Sequence, residues 1–145
     1  MTLLPYLIVD DAPAALAFYE RAFGAKTTLR LNGPGDAIGH AEMALPSGAC
    51  FALASEFPAM DVLGPKQRGG TTVSLDLHVD DCDAAFAKAV EAGATAEREP
   101  TKQFYGYLAA VLVDPFGHRW MLGQKVEDLS NEEMQRRYDA MLRGD

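Results

Sequence analysis

The sequence predicts an α+β fold made of two tandem β-α-β-β-β modules followed by a C-terminal helix. The main observation is an internal repeat, because most residues from Leu7 to Ala17 recur 70 positions later, from Leu77 to Ala87. A Pro-Ser-Gly turn and a Pro-Phe-Gly turn then mark the same point of each copy. A repeated supersecondary unit generates a pseudo-twofold axis, and a cleft on that axis is the expected place for a ligand.

Each module is expected to open with a short apolar strand that leads into an amphipathic helix. Alternating apolar residues predict strands at 4–9 and 72–79, and the Asp-Asp pair after each strand supplies a helix N-cap. Apolar residues three and four apart predict the helices that follow. These helices should end at Gly24 and Gly93, because glycine favours the left-handed conformation of a helix C-terminus.

Three further strands are expected to complete each module, the last two joined by a type I turn. Residues 45–48 and 114–117 each have proline at the second position and glycine at the fourth, which a type I turn favours. The predicted organisation is a single domain with a first module at 1–55, a Pro- and Gly-rich linker at 56–70, a second module at 71–124 and a tail at 125–145. We expect the eight strands to form a curved half-barrel with the helices outside it.

The tail is predicted to add a helix that the repeat lacks. Ser130 followed by Glu133 fits a capping box, and Met134, Tyr138 and Met141 form an apolar stripe. This stripe packs either on its own domain or on a partner subunit, and both alternatives stay open.

Composition excludes several classes of protein. The chain has 145 residues, a net charge of −8 and a pI near 4.8, and it lacks the basic patch of a nucleic-acid-binding protein. No apolar run approaches the roughly 20 residues of a membrane span. The apolar start is followed by acidic residues and is not preceded by a basic segment, so no signal peptide is predicted. We therefore expect a cytoplasmic protein without nucleic-acid or membrane partners.

Several phrases of the sequence resemble a known family. They are PYLIVDD at 5–11, AFGA at 22–25, QFYG at 103–106 and DPFGHRW at 114–120. With the duplicated unit, they resemble the vicinal oxygen chelate superfamily, which has the glyoxalase/bleomycin resistance/dihydroxybiphenyl dioxygenase fold, and within it the PhnB-like branch. The resemblance implies a homodimer. That branch often has an Asp-Arg pair where this chain has Tyr107-Leu108, which indicates a more apolar cleft wall.

The resemblance also provides a test for a metal centre. In metal-dependent members, each module supplies two ligands, one from the start of its first strand and one from its last strand. The aligned residues here are Leu4, Ala52, Ser74 and Met121, and none is the His or Glu that a divalent cation needs. We therefore expect no metal and no cofactor, and we disfavour glyoxalase I, extradiol dioxygenase and metal-dependent fosfomycin transferase activity.

Strand alternation predicts which side chains line the cleft between the modules. The candidate ligand-binding residues are Tyr6, His40, Glu42, Ser74, His78, Phe104, Tyr105, Tyr107, Val111, Arg119 and Met121. Aromatic side chains among them can stack on a flat ligand. Arg119 is suited to pairing with a carboxylate or phosphate, or else with Asp76 or Glu42 across the cleft.

Two pairs of residues are weaker candidates for chemistry. His40 with Glu42, and Asp76 with His78, lie two apart on a strand, so each pair faces one side. Either pair is suited to general acid–base catalysis, and all four together are a conceivable displaced metal site.

Three functions follow from these observations. The first is a metal-independent protein that binds a hydrophobic or aromatic small molecule, such as an antibiotic, as bleomycin-resistance proteins do. The second is a lyase or isomerase that uses one of the two pairs, with or without a displaced metal. The third is an interaction module dominated by the tail helix and a dimer interface. Turnover of a substrate is expected for the second function and not for the first. Binding of a small molecule in the cleft is expected for both of these and not for the third.

Overall fold

The structure, a computed structural model that describes residues 1–145, contains two β-α-β-β-β units in tandem. The first unit consists of β1 (Tyr6–Val9), α1 (Ala12–Phe23), β2 (Lys26–Asn32), β3 (Ile38–Ala44) and β4 (Cys50–Ser55). The second consists of β5 (Ser74–His78), α3 (Cys82–Ala92), β6 (Thr95–Lys102), β7 (Tyr107–Val113) and β8 (Arg119–Lys125). A 3₁₀ turn (Pro58–Met60) and a short helix, α2 (Pro65–Arg68), lie between them, and α4 (Asn131–Arg143) follows.

The eight strands form two open four-stranded sheets, one for each module. The strand orders are β1-β4-β3-β2 and β5-β8-β7-β6, with β1 and β5 at corresponding edges. In each sheet the first strand is parallel to the last, and the other pairs are antiparallel. The α+β class, the duplicated unit and the C-terminal helix predicted from the sequence are confirmed.

The strand registers repeat as well as the strand order. Tyr6 pairs with Ala52 in the first sheet, and Asp76 pairs with Met121 at the corresponding place in the second. One face of each sheet packs against the helices. We call the opposite faces the first open face (Tyr6, Ile8, His40, Glu42, Ala52 and Ala54) and the second open face (Ser74, Asp76, His78, Tyr107, Ala109, Val111, Arg119 and Met121).

The helix ends are fixed by the residues that the sequence indicated. The Asp11 carboxylate accepts a hydrogen bond from the backbone N–H of Ala14 at 3.1 Å, and Asp81 does the same for Ala84 at 3.0 Å. Each carboxylate therefore satisfies one of the unpaired amides of a helix N-terminus. Gly24 ends α1 with φ of 68°, a left-handed conformation that glycine adopts without a Cβ penalty.

The core is a single apolar cluster in which α1 lies against both modules. Phe18 and Tyr19 of α1 are fully buried. The Tyr19 ring packs against Phe51 of the first sheet at 5.2 Å and against Trp120 of the second at 5.5 Å, measured between ring centroids. Side chains of the first module thus complete the core of the second, and α1 also packs along α3.

A buried carboxylate joins the two modules. Asp114, in the β7–β8 turn, is 4% exposed and accepts a hydrogen bond from the Tyr19 hydroxyl at 2.5 Å. It also accepts one from the Trp120 indole N–H at 2.9 Å and from the backbone amides of Phe116 and His118 at 2.9 and 3.0 Å. Every buried donor around this carboxylate is therefore satisfied. No helix in the structure has the length and apolar character needed to span a membrane.

Candidate functional site

The structure distributes the predicted site residues over three places instead of one cleft. Tyr6, His40 and Glu42 lie together on the first open face. The second open face holds six further candidates, and Phe104 and Tyr105 lie in the turn that precedes β7. The six are Ser74, His78, Tyr107, Val111, Arg119 and Met121. A third place, between the modules, is lined by parts of both.

Three polar side chains form a hydrogen-bonded chain on the first open face. The Tyr6 hydroxyl lies 2.8 Å from His40 Nδ1, and His40 Nε2 lies 3.0 Å from Glu42 Oε1. The His40 side chain is 26% exposed, whereas Tyr6 is 49% exposed. The chain therefore runs from a carboxylate, through a half-buried imidazole, to a phenol that meets solvent. The geometry matches a base that is oriented by an acid and hydrogen-bonded to a third group.

Aromatic rings cover the second open face. The His78 ring lies 5.3 Å from Tyr107, and Tyr107 lies 5.7 Å from Tyr105. With Asp76, Ala109 and Met121, they border a shallow cavity of about 220 Å³. His78 Nε2 is 3.6 Å from Asp76 Oδ2, and both side chains are exposed, so this pair is looser than His40 and Glu42. Burial raises the pKa of Tyr105, and the nearby Asp76 charge raises it further, so this phenol stays neutral.

The aromatic surface continues from Phe104 onto the C-terminal helix. Phe104 packs edge-on against Tyr105 at 5.2 Å and stacks on Tyr138 of α4 at 5.2 Å. Arg137 fixes the same helix turn by donating to Glu127, Glu133 and the carbonyl oxygen of Phe104. The tail helix therefore contacts its own domain through one turn.

The rest of the apolar stripe on α4 stays open. Met141 is 50% exposed and the neighbouring Leu142 is 66% exposed. Packing on the same domain therefore accounts for only part of the stripe, and the alternative of a partner subunit stays open for its C-terminal end.

We expect the docked turn of α4 to loosen in acid. Hydrogen bonds from Arg136 and Arg137 hold the pKa of Glu133 at about 2, and Arg137 lowers the pKa of Glu127. A lowered folded-state pKa means that the stabilisation is present at neutral pH and is lost as pH falls from about 4.5 towards 2. NMR shifts of the Tyr138 ring should report this transition, which 0.5 M salt should weaken. Arg137→Gln removes the hydrogen bonds to Glu127 and to the Phe104 carbonyl oxygen, so this turn should be loose already at neutral pH. Arg143→Gln, at the end of the same helix, should leave the acid transition unchanged.

Arg119 has a different partner from those expected. Its guanidinium donates to Glu97 Oε2 at 2.7 Å and to the Ser74 hydroxyl at 2.6 Å. The expectation of Asp76 or Glu42 as partner is therefore wrong. Glu97 lies where the β6–β7 register is irregular, so strand alternation alone does not show which face it joins.

The cleft between the modules is the largest of these cavities, with a volume of about 710 Å³. It runs along the free edge of β5 and the start of β4, and ten of its fifteen lining residues are hydrophobic. Leu3, Leu4 and Val73 are its exposed apolar walls, and Trp120 contributes from the core. Leu3, Val73 and Trp120 were not among the site residues predicted from the sequence. The apolar residues that precede the first strand of each module, Leu3 and Val73, were the sequence signal that could have indicated this cleft.

Residues 2–122 match the family described as the Glyoxalase/Bleomycin resistance protein/Dioxygenase superfamily. The chain belongs to this superfamily. An uncharacterized protein of Mycobacterium bovis is 39% identical to it over 136 residues, which is 92% of this chain and 89% of the relative.

Solved structures support the fold of this superfamily member. A gene product from Arabidopsis thaliana has 25% identity and a TM-score of 0.66, over 85% of this chain and 98% of that one. The fosfomycin resistance protein FosX from Listeria monocytogenes, solved with Mn(II) and sulfate, has 15% identity and a TM-score of 0.68. That match covers 95% of this chain and 97% of the other, and it shows the fold alone.

The metal-ligand positions of the superfamily do not fit a metal in this member. Ala52 and Met121 offer no charged or imidazole donor, and Leu4 lies in the apolar wall of the cleft between the modules. The Ser74 hydroxyl already accepts a hydrogen bond from Arg119.

The displaced site that the sequence left open is not assembled within one chain either. His40 with Glu42 and Asp76 with His78 stay two separate pairs, and no three metal-ligating side chains come together.

Proposed function

We propose that this superfamily member is a metal-independent small-molecule-binding protein of the PhnB-like branch. Its ligand is hydrophobic or aromatic, a class that includes antibiotics, and is held in the cleft between the modules. The observation that carries the proposal is the apolar cleft of about 710 Å³ that residues of both modules line. Ligand pockets commonly have volumes of about 300–1,000 Å³ with mostly apolar walls and few polar groups.

The polar groups of the cleft indicate the charge of the ligand. Asp76 is the one charged side chain among the lining residues. It also borders the aromatic cavity of the second open face, so a ligand in the cleft has a route to Tyr105 and Tyr107. The net charge of −8 adds a long-range attraction for cations. A flat, apolar molecule with one cationic group fits this arrangement best.

The proposal is tested by binding of a neutral aromatic probe, Nile red, to a cleft variant. Val73 is 63% exposed and precedes β5, so Val73→Arg places a charged side chain in the cleft without disturbing a buried residue. We expect it to weaken Nile red binding at least tenfold, which is about 1.4 kcal/mol. Fluorescence titration gives the Kd, and EDTA should leave the value of the natural protein unchanged.

The matched control is Val126→Arg, at a residue that is 40% exposed and lies outside the cleft. It should change the Kd less than twofold. Equal weakening by the two arginines, or loss of binding after EDTA treatment, would contradict the proposal. Native mass spectrometry of the purified protein then detects any metal or organic molecule that it carries.

We propose that the protein acts as a homodimer and that it is located in the cytoplasm. The exposed apolar end of α4, at Met141 and Leu142, supports a second copy as partner. Size-exclusion chromatography with light scattering measures this assembly directly.

A second candidate function is a lyase or isomerase. The observation that favours it is the contact between His40 and Glu42, a base and an acid at 3.0 Å on the first open face. Asp76 with His78 is the alternative pair, and its longer separation of 3.6 Å makes it the weaker one. If the protein still converts a substrate after EDTA treatment, this function is favoured, and it does not need a displaced metal.

A further inference from the structure

We propose that Tyr6 is the catalytic acid–base of a proton-transfer site on the first open face, activated by His40 and oriented by Glu42. This inference rests on the second candidate function and is independent of ligand binding between the modules. Its substrate class is an apolar carbonyl compound with an acidic hydrogen next to the carbonyl group.

One arrangement of the imidazole protons connects the three side chains. With the proton on Nε2, the His40 ring donates to the Glu42 carboxylate at 3.0 Å. Nδ1 is then left as an acceptor, and the Tyr6 hydroxyl donates to it. A phenolic oxygen that donates one hydrogen bond can still accept another. A substrate atom can therefore approach Tyr6 while its proton has an acceptor already in place.

The second module shows that the fold does not need this polar chain. The equivalent residues of His40 and Glu42 are Ala109 and Val111, because Ala41–Leu53 and Ala110–Leu122 are corresponding strand pairs. Both replacements are buried, at 4% and 1% exposure. The same strand positions are therefore stably filled by apolar side chains. A half-buried imidazole and carboxylate in their place add a desolvation cost that the apolar residues of the second module avoid.

A cavity beside Tyr6 provides room for a substrate. It has a volume of about 550 Å³, and its lining includes Ile8, Ala54, Phe57 and Val62. Tyr6 lines this cavity, whereas His40 and Glu42 do not. The phenol is thus the member of the chain that a bound molecule meets, with apolar walls around it. The apolar walls favour a neutral substrate over a charged one.

The groups around His40 leave Glu42 as its one charged partner. Strand β2 pairs Leu31 with His40 and Leu29 with Glu42, and strand β4 contributes Ala52 beneath them. Glu56, which also lines the cavity, accepts a hydrogen bond from the backbone N–H of Gly64. No other ionic partner competes for the imidazole.

The proposed step is a reversible proton transfer. The substrate carbon–hydrogen bond breaks, and its proton passes to the Tyr6 oxygen as the Tyr6 proton passes to His40 Nδ1. The electron pair moves onto the substrate carbonyl oxygen to give an enolate, and Glu42 stabilises the imidazolium. Return of the proton to the same or the neighbouring carbon completes an epimerisation or isomerisation with no net change in charge.

The site is tested without knowing its substrate, with phenylmethanesulfonyl fluoride as the probe. In the labelling reaction the phenolic oxygen bonds to sulfur, fluoride leaves, and the phenol proton passes to the neighbouring base. Tyr138 is an internal reference, because it is 41% exposed and has no hydrogen-bonded base, whereas Tyr6 is 49% exposed. We expect peptide mass spectrometry at pH 7 to show labelling of Tyr6 at least ten times faster than labelling of Tyr138.

The double variant His40→Ala/Glu42→Val copies the second module, so it should fold and keep the cavity. It should reduce Tyr6 labelling to the rate of Tyr138, and a circular dichroism melt checks its fold. Tyr6 labelling that is no faster than that of Tyr138, or unchanged in a folded double variant, would overturn the proposal. Neither result bears on Nile red binding between the modules.

Discussion

Replacing Asp114 with alanine should lower the free energy of unfolding by about 4 kcal/mol, a large fraction of the stability of a small domain. The carboxylate accepts four hydrogen bonds, including those from the buried Tyr19 hydroxyl and the Trp120 indole. Alanine leaves those two donors buried without partners, at about 1–3 kcal/mol each, and frees the turn amides that hold β7 and β8 together. Urea denaturation followed by tryptophan fluorescence measures the loss.

A control separates the network from the loss of a negative charge. Asp128→Ala removes a 92% exposed carboxylate that pairs with Lys125, and it should leave the urea midpoint unchanged. Tyr19→Phe removes one donor and should cost less than Asp114→Ala. A loss at Asp114 as small as that at Asp128 would show that the buried network does not hold the modules together.

The same network predicts sensitivity to alkaline pH. Burial, and then the Asp114 charge, hold the pKa of Tyr19 well above its usual range. Tyr19 therefore stays protonated in the folded protein at a pH where it ionises in the unfolded chain. Its contribution to the free energy of unfolding is fully present below about pH 10 and decreases above it. Tyr19→Phe should remove this part of the alkaline loss in urea titrations at pH 9 and pH 11.

Local features of the fold were predictable from the sequence because their causes lie within a few residues. The N-caps at Asp11 and Asp81 depend on an amide three residues ahead, and the type I turns depend on a proline and a glycine. The repeat then transfers each local assignment from one module to the other. The contact between modules depends on residues far apart in sequence, such as His118, which hydrogen-bonds the carbonyl oxygen of Ile8 across 110 positions.

The candidate site was predictable only in part, for the same reason. Alternation placed His40 and Glu42 on one face, since side chains two apart on a strand share a side. The hydrogen bond from Tyr6 joins residues 34 positions apart and requires both β1 and β3 to pair with β4. The partner of Arg119 depends on an irregular register in β6, which no short pattern indicates. Long-range pairing and register are thus what the sequence leaves undetermined.

Gly106→Ala should have the second large effect, with a loss of about 3 kcal/mol in the free energy of unfolding. Gly106 has φ of 85°, a left-handed conformation that costs alanine about 1–2 kcal/mol. A Cβ at this residue would also lie 2.8 Å from the carbonyl oxygen of Glu127, which is backbone and cannot swing away. The Gly106 carbonyl oxygen accepts hydrogen bonds from the amides of Val126 and Glu127 at 2.8 and 3.0 Å. The chain segment that leads to α4 should therefore move off the aromatic surface.

Gly35→Ala isolates the cost of conformation from the cost of the clash. Gly35 has φ of 60°, and a Cβ there would meet no atom within 4 Å. Gly35→Ala should lower the free energy of unfolding by only about 1 kcal/mol, the cost of the left-handed backbone conformation. The ring shifts of Tyr105 and Tyr138 should stay unchanged. Gly106→Ala should shift those rings and speed amide exchange at Val126 and Glu127. Equal losses for the two variants, with unchanged exchange, would mean that the tail is not anchored at Gly106. The Phe104–Tyr138 stack and Arg137 would then be the contacts that hold α4 on the aromatic surface.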